Sequence, residues 1–297
     1  MSPQHPPIGR YYRVHGRQLM LDRAGEGAPS VVFLPGAGLT GLDYWNLHRR
    51  LAGHTTSVLY DRGGTGWSEA ANWPRTAAQV VDELVELLGT AEIPVPYVLV
   101  GHSLGGAYAR RFAQRHPELV AGLVLLEPLH EDWDRVMPEP LRLSTQAPAS
   151  ESMPEFTDEL VEHFRGIFAR AFAEWPDELR EQAVTRHLDP ALLLRGMEEN
   201  RTALAVTGEL RDGGPVPDVP LAVVTALGID PGQALFLSEE DLAAQNDAKL
   251  RLYGEVAAPG GKHVVLDSGG HSSLHTDRPD DVTRAILDVL AAAGERP

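Results

Sequence analysis

The chain has 297 residues, 43% of them hydrophobic and 23% charged, with a formal net charge of −16 and no cysteine. That composition is ordinary for a globular protein, and the acidic excess argues against nucleic acid or an anionic membrane surface as a partner. The lack of cysteine excludes disulfides, thiolate metal sites and a cysteine nucleophile, and it fits a reducing compartment, so a cytoplasmic location is expected.

The stretch from Met1 to Pro7 has no cationic start followed by an apolar run, so no signal peptide is read. No apolar run approaches the roughly 20 residues that a membrane span requires. Tyr11 to His15 and Gln18 to Asp22 predict a hairpin turning at Gly16. Ser30 to Leu34 predicts a short apolar strand that ends in Pro35-Gly36-Ala37-Gly38. A helix is expected near Tyr44 to Ala52, and a strand from Thr56 to Tyr60 ending at Asp61. Thr76 to Leu88 places Val80, Val81, Leu84, Leu87 and Leu88 at the spacing of an amphipathic helix. Strands follow at Tyr97 to Val100 and Val120 to Leu126, with a helix-compatible run, Ala107 to His116, between them. Late strands are expected at Leu221 to Thr225 and His263 to Leu266, and a closing helix at Pro279 to Ala292 with proline in its first turn. The central strands are apolar throughout rather than alternating, the pattern of parallel strands covered on both faces. The expected fold class is α/β, a mostly parallel sheet flanked by helices.

Between Pro128 and Pro220 this alternation stops. The stretch is helical in pattern and carries Trp133, Phe156, Phe164, Phe168, Phe172 and Trp175. We read residues 129–215 as a helical cap inserted into a core made of 1–128 and 216–297. Most of the aromatics are expected to join cap to core, and some to face a cleft, because a lid over a pocket excludes water.

The chemistry is carried first by Gly101-His102-Ser103-Leu104-Gly105-Gly106, which stands between an apolar strand and a helix-compatible run. That is the setting in which a G-x-S-x-G motif presents a nucleophile. Gly101 and Gly105 keep the sharp turn free of a colliding Cβ. Ser103 then projects at the head of a helix, where unpaired N–H groups and the dipole favour developing negative charge. The base candidate is His271, in Asp267-Ser268-Gly269-Gly270-His271 after the last strand. His275 is its nearest rival, and His102 is expected to point away from the serine. A neutral imidazole there accepts the serine proton and returns it to the leaving group.

Two carboxylates qualify as the acid that orients the histidine. Asp230 follows the strand Leu221 to Thr225 and is preferred; Glu127, at the end of Val120 to Leu126, is the alternative. Either satisfies the order nucleophile, acid, histidine. The bland reading of Asp230 is a helix N-cap or turn former before Pro231, and that of Glu127 is a salt bridge at the cap hinge. For an oxyanion hole, the expected donors are the backbone N–H groups of Leu104 and Ala37. Gly36 to Gly41 also spells G-x-G-x-x-G, with Asp61 ending the next strand, so a dinucleotide site is the runner-up on motif grounds.

With Leu34-Pro35-Gly36-Ala37-Gly38, Asp61-Arg62-Gly63-Gly64-Thr65-Gly66-Trp67-Ser68, the Ser103 elbow and Gly269-Gly270-His271 in this order, and Asp230 between the last two, the chain resembles the α/β-hydrolase superfamily over nearly its whole length. The resemblance implies an α/β-hydrolase fold with a helical cap and a serine hydrolase that needs no cofactor and no metal. It implies a structural role for the Asp61 to Ser68 turn. Pro35 departs from the pattern, standing where many relatives have histidine. A serine rather than an aspartate nucleophile argues against haloalkane-dehalogenase-like and epoxide-hydrolase-like chemistry. The cap carboxylates Glu198 and Glu199 are expected to be solvated. The expected reaction is hydrolysis of a small ester-type substrate through an acyl-enzyme. A lyase or a cofactor-free oxygenase or perhydrolase remains open on the same residues, and so does a non-catalytic ligand receptor.

Overall fold

Eight strands form one sheet. In the computed structural model, which describes residues 5–145, 157–235, 237–258 and 260–295, the opening hairpin is β1 (Arg10–Val14) and β2 (Arg17–Ala24), turning at Gly16. β3 (Ser30–Leu34), β4 (Ser57–Tyr60), β5 (Tyr97–His102), β6 (Val120–Leu126), β7 (Leu221–Ala226) and β8 (Lys262–Leu266) complete it. The order across the sheet is β1-β2-β4-β3-β5-β6-β7-β8. β1 to β4 pair antiparallel through β2, and all other pairs are parallel. β3, β4 and β5 are buried along their whole length, as their unbroken apolar runs predict.

The helices are α1 (Trp45–Leu51), α2 (Ala77–Thr90), α3 (Leu104–Arg115), α4 (Trp133–Val136), α5 (Asp158–Ala171), α6 (Asp177–His187), α7 (Pro190–Arg201), α8 (Ala203–Asp212), α9 (Glu239–Ala257), α10 (Leu274–Asp277) and α11 (Pro279–Gly294). α2 opens with a reciprocal cap between Thr76 and Gln79 and buries the five apolar residues its spacing marks out. One apolar core lies between the sheet and α2, α3, α8 and α9; a second lies on the other face against α1 and α11.

The stretch between β6 and β7 holds α4 to α8 and no strand among its described residues. Phe172 and Trp175 are buried with Leu42 and Trp67, joining insertion to core, and Phe164, Phe168 and Phe172 line a cavity. Phe156 lies outside the described residues. Two elements were not anticipated from sequence, the four-residue α10 and α9. α9, of 19 residues, follows β7, and its signal was the capping box at Ser238 and Asp241.

Candidate active site

Paired positions on β5 and β6 set the site. His102 is in register with Leu126, and the next residue on each strand, Ser103 and Glu127, adopts a positive φ, 52° and 44° respectively. Few non-glycine residues are held this way, and those that are cluster at functional sites. The Ser103 turn is fastened on both sides: its N–H donates to the Leu126 carbonyl at 3.0 Å, and its own carbonyl accepts from Gly106 and Leu129 at 2.9 Å each. The flanking glycines are required. A Cβ on Gly101 would stand 2.6 Å from the Gly106 Cα, and one on Gly105 would strike the Leu34 carbonyl of the neighbouring strand.

The serine hydroxyl lies 3.1 Å from His271 Nε2, and His271 Nδ1 lies 2.7 Å from Glu127 Oε2. A carboxylate only accepts, so Nδ1 carries the proton and Nε2 is left to accept from the hydroxyl. Asp230, the preferred acid of the sequence reading, is elsewhere. Its Oδ2 accepts from the Ser272 N–H at 2.5 Å and its Oδ1 from the Gln233 N–H at 2.8 Å. It sits four residues past the end of β7 and braces the loop that carries His271, which is the turn-forming role of the bland reading. Glu127 instead follows directly on β6 and lies across the end of β7, where its Oε1 accepts from the Ala226 N–H at 2.8 Å.

Glu127 is buried together with a lysine that sequence reasoning missed. Lys249, on α9, donates to Glu127 Oε1 at 2.9 Å and Oε2 at 3.2 Å and to the Ala226 carbonyl at 3.2 Å. Burial pushes the Glu127 carboxyl upward. The hydrogen bond from His271 and the charge of Lys249 outweigh it and hold the group below the usual carboxylate range, so it stays ionised. Removing one partner of a buried ion pair strands the other. Lys249→Met is therefore expected to lower the unfolding free energy by about 3–5 kcal/mol. Urea unfolding measures this, and a loss below about 1 kcal/mol would show that Glu127 does not depend on the lysine.

His102 points away from the serine, as expected, and has work of its own. Its Nε2–H donates to the His271 carbonyl at 2.9 Å, and its Nδ1 accepts from the Tyr44 hydroxyl at 2.8 Å. Burial, with His271 and His275 nearby, keeps it well below the usual histidine range, hence neutral. His275, the rival base, is buried and stacked on Tyr44 at 4.4 Å. Burial pushes it down to about 4.

Leu104 is the first residue of α3, in the turn whose N–H groups have no helical acceptor. Ala37 lies on the loop after β3. Its neighbour Gly36 is close enough to Ser103 that a Cβ there would stand 3.4 Å from the serine Cβ. The carbonyls of Pro35 and Gly36 accept from Arg62 at 2.6 and 2.8 Å, so the loop is held although Pro35 replaces histidine. Asp61 is buried and accepts from the Gly41 and Trp67 N–H groups at 2.8 Å each. Burial raises it to about 6. Its oxygens are spent on the backbone, which removes the acidic partner that a dinucleotide reading of Gly36 to Gly41 needs. Glu199 is not solvated: it is fully buried on Arg62. Glu198, on the same helix, is partly exposed and pairs with Arg195.

A cavity of about 930 Å³ adjoins the site. Ala37, Gly38, Asp230 and Gly270 are shared with its wall, and Phe164, Phe168, Leu193 and Met197 of the insertion close the other side. Ser103 and His271 are not in that wall; both remain partly exposed beside it. Among the described residues, no three of His, Asp and Glu are gathered to hold a metal, and no helix is long and apolar enough to cross a membrane.

Comparison with known proteins identifies the family of the chain. A pimeloyl-[acyl-carrier protein] methyl ester esterase of Chromobacterium violaceum is 38% identical over 287 residues, covering 94% of this chain and 91% of that protein. An uncharacterized protein of Mycobacterium tuberculosis is 31% identical over 121 residues, 41% of this chain. The chain spans about a third of that relative's length, 35%. Cfl2 of Burkholderia cenocepacia superposes with a TM-score of 0.72 at 17% identity, over 96% of this chain and all of that one, a likeness of fold alone. The alpha/beta hydrolase family model matches residues 31–285; the chain belongs to the alpha/beta hydrolase family.

Proposed function

We propose that this protein is a serine hydrolase of small carboxylic esters, with Ser103 as nucleophile, His271 as base and Glu127 as the acid that orients it. The observation that carries the reading is the unbroken hydrogen-bonded line from Ser103 through His271 to Glu127. His271 takes the serine proton as Oγ attacks the ester carbonyl. Glu127 holds the Nδ1–H tautomer and stabilises the imidazolium that forms. The N–H groups of Leu104 and Ala37 receive the developing oxyanion. The imidazolium then protonates the departing alkoxide, and water repeats the cycle on the acyl-enzyme with His271 again as base.

The similarity to a methyl ester esterase over most of the chain supports an ester as substrate. The adjoining cavity, walled by phenylalanine and aliphatic side chains, supports an apolar acyl or alcohol portion. The helices between β6 and β7 act as the cap that covers it. The residues of the line and its surroundings supply base, acid and oxyanion donors from the chain itself, so no step needs a cofactor.

A fluorophosphonate probe and a series of p-nitrophenyl esters of graded chain length test this. One equivalent of label on Ser103, together with hydrolysis of the esters, is the expected result. Absence of labelling on folded protein would favour a ligand receptor. Labelling with no turnover of any ester would favour the lyase or oxygenase class.

A further inference from the structure

The loop that carries Ala37 is held from the far side by the helical insertion. α7 approaches it glycine to glycine: a Cβ on Gly196 would stand 2.9 Å from the Gly38 Cα. One turn further along the same face, Glu199 reaches into the core and is fully buried. Its Oε2 accepts from the Gly38 N–H at 2.8 Å. The same carboxylate takes a forked bond from Arg62, Nε to Oε1 at 2.9 Å and Nη2 to Oε2 at 3.0 Å. Arg62 also donates to the Pro35 and Gly36 carbonyls. Loop residues 35, 36 and 38 are therefore all fastened to one buried ion pair, and Ala37 lies between them.

We propose that Glu199 is a positioning residue for the oxyanion hole, an inference that rests on the serine-hydrolase reading above. Two physical points favour it. A forked arginine–carboxylate pair fixes both distance and angle, so the loop is set rather than merely packed. The Gly38 N–H is consumed by Glu199, which leaves the Ala37 N–H as the donor the loop offers to a substrate oxygen. A carboxylate this close would repel an oxyanion, but Arg62 neutralises it. Burial works against the guanidinium charge, and Glu199 outweighs burial and keeps Arg62 firmly protonated.

Glu199→Gln preserves shape and removes the charge. The expected result is a fall in kcat of ten-fold or more with KM changed less than three-fold, because loss of one oxyanion donor typically costs 10²–10³. The affinity of a boronic acid, which forms a tetrahedral adduct on the serine, should fall by the same factor as kcat/KM. A purely structural role would lower Tm and leave that affinity alone. Gly196→Ala gives the answer should Glu199→Gln fail to fold, since a Cβ 2.9 Å from the Gly38 Cα forces α7, with Glu199, and the loop apart. It is expected to change kcat and boronate affinity in the same direction. Glu198→Gln, on the same helix but outside the cluster, should stay near wild type. Folded Gly196→Ala and Glu199→Gln proteins with kcat and boronate affinity within two-fold of wild type would overturn the proposal. Turnover that survives Ser103→Ala would instead overturn the reading on which it rests.

Discussion

Ser103→Ala is expected to lower kcat toward p-nitrophenyl esters by about 10⁶ and to abolish fluorophosphonate labelling. The fold should survive, because the elbow is held by backbone bonds and not by the hydroxyl. The Ser103 N–H and carbonyl keep their partners at Leu126, Gly106 and Leu129, and alanine meets the same cost as serine at a φ of 52°. The hydroxyl gives up one bond, to His271 Nε2, worth about 1 kcal/mol. A change in Tm of only a few degrees is expected, measured by thermal unfolding beside the kinetics. The two measurements together decide the matter. A folded variant that retains turnover would mean that another group attacks the substrate.

Glu127→Gln is expected to cost about 10⁴ in kcat, the penalty for presenting the histidine in the wrong tautomer. An amide in place of the Glu127 carboxylate offers a nitrogen donor where His271 Nδ1 also donates, and it no longer stabilises the imidazolium. Asp230→Asn should cost less than about ten-fold in kcat, since Asp230 binds the Ser272 and Gln233 N–H groups and not the imidazole. Steady-state kinetics of the two variants on one ester measure the ranking, with thermal unfolding beside them because Glu127→Gln also leaves Lys249 without its buried partner. The opposite ranking would return the acid role to Asp230.

Much of this was legible in the sequence, and for physical reasons. β3 and β6 begin and end where their apolar runs do, because parallel strands buried on both faces admit no polar interruption. Ser103 was legible because a strand, two glycines and a helix leave few alternatives to a sharp turn. His271 was legible from the Gly-Gly approach that lets its loop fold back over the sheet. Which carboxylate faces His271 was not, because two carboxylates satisfied the same chain order and only packing separates them. Asp230 has backbone N–H groups within reach and is consumed by them. Glu127 has a buried lysine 122 positions away, a partner that no local pattern reveals. Glu199 misled for a related reason. In sequence it is one of two acidic neighbours on a helix, and nothing there says that Arg62, 137 positions earlier, turns toward it. Long-range ion pairs between loops and insertions are set by tertiary packing, and periodicity is blind to them.

The pairing of His102 with Leu126 has a consequence for how this scaffold tolerates change. Ser103 and Glu127 follow directly on that rung, so their separation is inherited from the spacing of adjacent strands, about 4.8 Å in any sheet. The proposed nucleophile and acid thus share one rigid plank, and only the proposed base arrives on a loop. Insertions or deletions after β8 can lengthen or recast that connection without altering the distance between the two fixed members. The segment around Asp230, relieved of holding the imidazole, already contributes to the cavity wall. It is the place where substitutions that keep Asp230 on the Ser272 N–H should change which esters are accepted.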